Sequence, residues 1–183
     1  MARDYAEYLG RGATVAAVVI DPPGQNAAMA AKLALPFPVL SDPDGAGAIR
    51  PSGVWDDAGT MALPAILVVA PDGTEAYRYT GADFMDRPDD GDVLEALDAL
   101  RLAPIQAPIG TVPHLPPAPG PRAVPLADLG VYMRGVRFAM QAMAERARDP
   151  WDKREAGRSA RMAERYVAAQ GATRRLTGAG GLR

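Results

Sequence analysis

The sequence predicts an α/β layer fold followed by a C-terminal α-helical hairpin. Three observations predict it. Residues 1–102 alternate helical and extended patterns in the order helix, strand, helix, strand, strand, helix. Residues 103–125 carry prolines at 104, 108, 113, 116, 117, 119, 121 and 125, which leave no continuous helix and few ladder donors. Residues 126–170 return to helical spacing in two stretches, and 171–183 form a glycine-containing tail expected to be flexible.

The elements follow in order. Asp4 to Leu9 has the pattern of a helix stopped at Gly10 and Gly12. Ala13 to Ile20 is a continuous, β-branched apolar run, suited to a parallel strand buried on both faces. Asp21-Pro22-Pro23-Gly24 breaks that run. Gln25 to Leu35 has helical composition and ends before Pro36 and Pro38. Val39 to Asp42 is extended and leads into the turn Pro43-Asp44-Gly45, after which Ala46 to Gly53 has room for two helical turns limited by Pro51. Ala65–Val69 and Ala76–Thr80 flank Pro71-Asp72-Gly73, a strong hairpin signal. After the acidic loop 83–91, Val93, Leu94, Leu97 and Leu100 give an amphipathic helix, capped by Asp89 or Asp90 and favoured at its end by Arg101.

The spacer 103–125 reads as a semi-rigid linker in preference to a ligand for aromatic-lined grooves, with His114 solvated and inert inside it. Beyond it, Leu129, Met133, Val136, Met140 and Met143 form one apolar stripe. A methionine stripe of this kind is either an adaptable binding surface or a packed face, and the helical spacing favours packing. Asp149-Pro150 supplies a cap and a first helical residue. Ala156, Ala160, Ala163 and Val167 make the second stripe, which Gly171 is expected to end. A short connection between two one-faced helices favours an antiparallel hairpin.

Composition narrows the chemistry. Of 183 residues none is cysteine and one is histidine, so disulfides, thiolate metal sites and a histidine triad have no material in these residues. No apolar run approaches the about 20 residues that span a bilayer, and no leader pattern opens the chain, which reads as cytoplasmic. No cofactor or metal is expected. Asp83, Asp86, Asp89, Asp90 and Asp92 lack the glutamate that completes a calcium loop and read as a solvated acidic loop. Ser41-Asp42 has no nearby histidine base, so Ser41 reads as a turn residue. Net charge is −2, but residues 1–121 carry 7 basic and 16 acidic side chains while residues 122–183 carry 13 and 6. That split points to attraction between the parts or to an acidic partner. Arg154, Arg158, Arg161 and Arg165 are the candidate contacts for such a partner; interleaved acids and scarce aromatics disfavour nucleic acid.

Val15 to Pro23, then Leu35-Pro36-Phe37-Pro38-Val39-Leu40-Ser41-Asp42-Pro43-Asp44-Gly45, then Ala62-Leu63-Pro64-Ala65-Ile66-Leu67-Val68-Val69 with Asp72-Gly73, resemble the peroxiredoxin-like redoxins, the alkyl hydroperoxide reductase/thiol-specific antioxidant group. The resemblance covers about residues 2–102. It implies a thioredoxin-like fold and a thiol-dependent antioxidant or oxidoreductase activity, with peroxide as substrate and a thiol as reductant. It also implies a peroxidatic cysteine on a helix, following a central strand, before the part seen here. On this reading the domain is a partial, N-terminally truncated thioredoxin-like fold lacking that central strand and cysteine helix, with Met1 as a late start, and is inactive as written. Asp21, Pro22 and Pro64 fall on the rim of the redox site by resemblance, Pro64 as a cis proline in the thioredoxin manner. Read on its own, Asp21 is equally a helix cap. Without a central strand, the strands at 13–20 and 65–70 must pair with each other, pair with another chain, or keep open edges, and open edges favour a homodimer. The alternative function is a non-catalytic binding or assembly protein acting through the basic helical hairpin.

Overall fold

The computed structural model describes residues 1–2, 4–83, 86–106 and 115–178. They divide into two compact units, Met1–Ala31 with Leu35–Pro119 and Lys32–Ala34 with Gly120–Arg183.

In the first unit α1 (Tyr5–Gly10) precedes β1 (Ala17–Val19), and α2 (Pro23–Leu33) follows. β1 is shorter than its apolar run because only Ala17–Val19 finds a partner, the parallel strand β2 (Val39–Ser41), with Val18 beside Leu40. Thr14 to Ala16 stay outside any ladder, while Ala13 and Val15 pack against the core. α2 starts earlier than its alanine-rich stretch suggests, since a proline costs nothing at a first helical position. Residues 46–53, expected as two helical turns, form a succession of turns instead. Asp42 takes up the amides that a helix start would leave free: its carboxylate accepts from the backbone N–H of Gly47, Ala48 and Ile49, each at 2.9 Å.

The chain then forms two antiparallel pairs. β3 (Trp55–Asp56) pairs with β4 (Met61–Ala62), a short hairpin that no sequence pattern announces. β5 (Ala65–Val69) pairs with β6 (Glu75–Thr80), with a register shift at Val68/Val69 next to the Asp72-Gly73 turn. α3 (Asp90–Leu100) begins at Asp89, whose side chain accepts from the Gly91 N–H at 3.0 Å, and ends at Arg101 in the left-handed region with φ 53°. Tyr8, Val68, Val93 and Leu97 form the core, so one side of the β5–β6 hairpin is closed by α3 and α1. Each ladder has two strands, in the orders β1-β2, β3-β4 and β5-β6.

The second unit is built on α4 (Leu126–Arg146) and α5 (Pro150–Leu176). Asp149 caps α5 as its sequence suggests, accepting from the Trp151 N–H at 2.7 Å and the Asp152 N–H at 3.3 Å, with Pro150 in the first turn. Ala156, Ala160, Met162 and Ala163 on α5 are buried, as is Met133 on α4, and Ala156, Ala160 and Ala163 share one face of α5. The helices run antiparallel: Gln170 Nε2 donates to the Leu126 carbonyl at 2.9 Å near the open end, and Arg137 meets Glu164 at 3.6 Å farther along. Two expectations need correction. Met143 is 56% exposed, so the packed stripe ends at Met140. α5 runs through Gly171 to Leu176, because a single glycine costs a helix only about 1 kcal/mol and the neighbouring turns are already formed. Residues 179–183 and His114 lie outside the described residues.

Candidate redox-site rim

The carboxyl ends of β1 and β2 are where a parallel pair presents ligand-facing loops. The chain crosses there at Asp21-Pro22, and its path is fixed by three bonds. The Asp21 carbonyl accepts from Ser41 Oγ at 2.6 Å and from Asn26 Nδ2 at 3.1 Å. The Asp42 N–H donates to the Val19 carbonyl at 2.8 Å, extending the ladder by one rung. Ser41 is thus a positioning residue for the turn after β1, in line with its reading as a turn residue. Pro22 contributes through its carbonyl, which accepts from the Gln25 and Asn26 amides at 3.0 and 3.1 Å and starts α2.

The Asp21 carboxylate, in contrast, is exposed and makes no hydrogen bond among the described residues. A cap role for its side chain has no bond to rest on; the backbone carbonyls of Asp21 and Pro22 do the work instead. Asn26 was not singled out in the sequence. Only 2% exposed, it holds Asp21 through Nδ2, while its Oδ1 is buried without a partner among the described residues. An amide in the first turn of an alanine-rich helix, just after a Pro-Pro-Gly break, is the only sequence signal for it.

Pro64 stands at the start of β5, and its carbonyl accepts from the Gly81 N–H at 2.7 Å, one rung beyond the β5–β6 ladder. Its peptide bond is trans, as are all those among the described residues, which corrects the cis expectation. An X–Pro bond is trans by default, and nothing local to Leu63-Pro64 overrides that preference. Asp21 and Pro22 therefore share one turn with Ser41 and Asn26, while Pro64 belongs to a different ladder. β1 and β5 do not pair with each other.

The acidic loop is not simply solvated. Asp86 is buried, and its carboxylate accepts from the Tyr79 hydroxyl and from the Ala82 N–H at 2.8 Å, tying the loop to β6. Among the described residues no group of three or more His, Asp or Glu side chains is arranged to hold a metal ion. Burial pushes the Tyr8 hydroxyl up to about 12, Asp90 and Asp4 add to the effect, and Arg11 opposes it.

On α5, Arg154, Arg158, Arg161 and Arg165 recur on one side of the helix, and a shallow depression of about 540 Å³ is lined by Lys153, Arg154, Arg158 and Arg161 among others. Arg158 is partly neutralised by Glu155 at 3.0 Å. Arg154, Arg161 and Arg165 make no ion pair among the described residues. The depression is open to solvent, and among the described residues none of the polar side chains lining it is buried.

No helix among the described residues is long and apolar enough to cross a membrane. No curated protein matches the chain, and neither does any solved structure. The family comparison does match: residues 1–78 fit the model of the AhpC/TSA family, a stretch that runs from α1 through β1, α2, β2 and the two hairpins into β6. Residues 1–78, less than half of the chain, thus match the AhpC/TSA family, and this part of the chain is similar to the peroxiredoxin-like redoxins.

Proposed function

We propose that the chain works as a redoxin scaffold: residues 1–102 frame a redox centre, with Asp21, Pro22 and Pro64 on its rim, and these 183 residues do not themselves supply the thiol. The observation that carries this reading is the AhpC/TSA match over residues 1–78 in a sequence with no cysteine. Peroxide reduction in this family requires a thiolate sulfur to attack one peroxide oxygen. The O–O bond breaks, water or an alcohol leaves, and the sulfur becomes a sulfenic acid that a thiol reduces. Methionine sulfur is no substitute, because it presents no attacking thiolate and its sulfoxide is not returned by simple thiols. Peroxide and a thiol reductant are the substrates only of an assembly in which a cysteine is brought to this rim.

The test is peroxide consumption by the purified 183-residue chain with dithiothreitol as reductant. The expected rate equals that of dithiothreitol alone, apart from a stoichiometric uptake by the 8 methionines. Sustained turnover well beyond that stoichiometry would overturn the proposal. The intact mass of the natural product is the companion measurement. A mass above 19.2 kDa by several kDa, with cysteine in the added residues, is the expected companion of a rim that serves a thiol.

A further inference from the structure

Helix α4 is apolar on two faces. Leu129, Met133, Val136 and Met140 form the face turned to α5. At 100° per residue the face opposite is centred on Val131, Gly135, Phe138 and Ala142. It is bare: Val131 is 62% and Phe138 59% exposed, and a Cβ built on Gly135 would meet nothing within 4 Å. The Arg137 guanidinium carbon lies 4.7 Å from the centre of the Phe138 ring, covering one face of the ring and leaving the rest outward. A bulky apolar residue beside an open glycine on a solvent-facing helix needs a reason.

We propose that this face joins two copies of the chain, with their α4 helices antiparallel about a two-fold axis crossing between Val136 and Arg137. Shape and charge select the same register. That axis sets Phe138 over Gly135 of the second copy and Val131 against Ala142 of the second copy, so each large side chain meets a small one. Large-on-small pairing lets helix axes approach to about 8 Å. Within one residue of the same register, Asp128 in the first turn lies alongside Arg146 in the last turn of the other helix, on the same flank of the strip. Both are exposed, and neither has an ion pair among the described residues. The antiparallel arrangement also places the positive end of each helix dipole beside the negative end of the other. An isologous interface must be complementary to itself, and this strip carries both sizes and both charges at positions related by one axis.

Sedimentation equilibrium of the full chain tests it, with helix content followed by circular dichroism. The expected result is a dimer of twice 19.2 kDa. Phe138→Glu and Gly135→Met each weaken it by about tenfold or more, with helix content held or raised. Asp128→Arg weakens the dimer as well, and adding Arg146→Asp restores it. A monomer at concentrations up to about 100 μM overturns the proposal. So does a dimer indifferent to Phe138→Glu and Gly135→Met, which would be joined elsewhere, for example along the strand edges. Failure of the double charge reversal to restore association overturns it too.

Discussion

A methyl group at Gly45 has no free space to occupy. The residue has φ +73°, and a Cβ there would lie 2.7 Å from Trp55 Cε3. Gly73 has φ +88° with nothing near its missing Cβ. Gly73→Ala therefore pays only the left-handed backbone cost, about 1–2 kcal/mol, whereas Gly45→Ala adds a steric overlap with the indole. Urea unfolding of the two variants should rank Gly45→Ala as clearly the worse, and equal losses would refute the overlap. The sequence announces both turns, as Asp44-Gly45 and Asp72-Gly73. It does not announce that Trp55 covers the first, because the two-residue strands β3 and β4 are too short to have a periodicity. Asp42 is a similar case. Its three backbone N–H bonds, from Ile49 first, hold the carboxyl below the usual aspartate value of 3.8. A depressed folded value means that Asp42 stabilises the fold above about pH 4, and that this contribution is lost as the pH falls through the folded value. Asp42→Asn should thus lower the melting temperature by several degrees at pH 7. The gap to the parent should shrink progressively below about pH 4; a gap that stays constant on acidification would show that ionisation is irrelevant there.

Helices were the most legible elements, because their signals are local: a cap, a 3.6-residue stripe and a stop. Asp149 and Asp89 cap the helices read from them, and the stripes of α4 and α5 are buried at Met133, Ala156, Ala160 and Ala163 and half-buried at Leu129, Val136, Met140 and Val167, while Met143 is exposed. The misreadings share one cause. Gly171 looks like a stop, yet Gln170, one residue earlier, is buried and bonded to Leu126, so tertiary contact holds the helix where propensity is weakest. The β1 run looks like a strand of eight residues, yet pairing and not composition sets strand length, and β2 offers three partners. Asp149→Ala tests the cap as a local device. It should cost about 1 kcal/mol, read as a lowered urea midpoint of the helical signal. Asp149→Asn, which keeps an acceptor oxygen, should recover most of the loss. No difference between the two would place the stability of α5 in its packing alone.

On the scale of the whole molecule, the sheet is the part the sequence described least well, since strand neighbours are set by segments far apart in the chain. The sequence left three arrangements open for the strands near 13–20 and 65–70, and they do not pair with each other: each sits in a two-stranded ladder whose other edge takes no strand among the described residues. Those edges can be assigned residue by residue. In the parallel pair the Ala17 N–H donates to the Pro38 carbonyl, so alternation turns the Val18 amide away from β2. In the antiparallel pair the Gly81 N–H donates to the Pro64 carbonyl, so Ile66 and Val68 are the residues bonded to β6, and the amides of Ala65 and Leu67 point the other way. Two-stranded ladders are only marginally stable, and amides outside their bonds open easily. Hydrogen exchange followed by NMR should find Val18 and Leu67 exchanging about tenfold or more faster than their bonded neighbours Ala17 and Val68, a ratio matching the loss of one net hydrogen bond. The same measurement on the natural product bears on the redoxin reading. If those two amides become slow there, a strand from outside these 183 residues lies along both edges, bringing with it the one kind of segment that could carry a thiol to the Asp21-Pro22 turn. If they stay fast, the rim remains without a nucleophile, and the family fold has been kept for something other than peroxide chemistry.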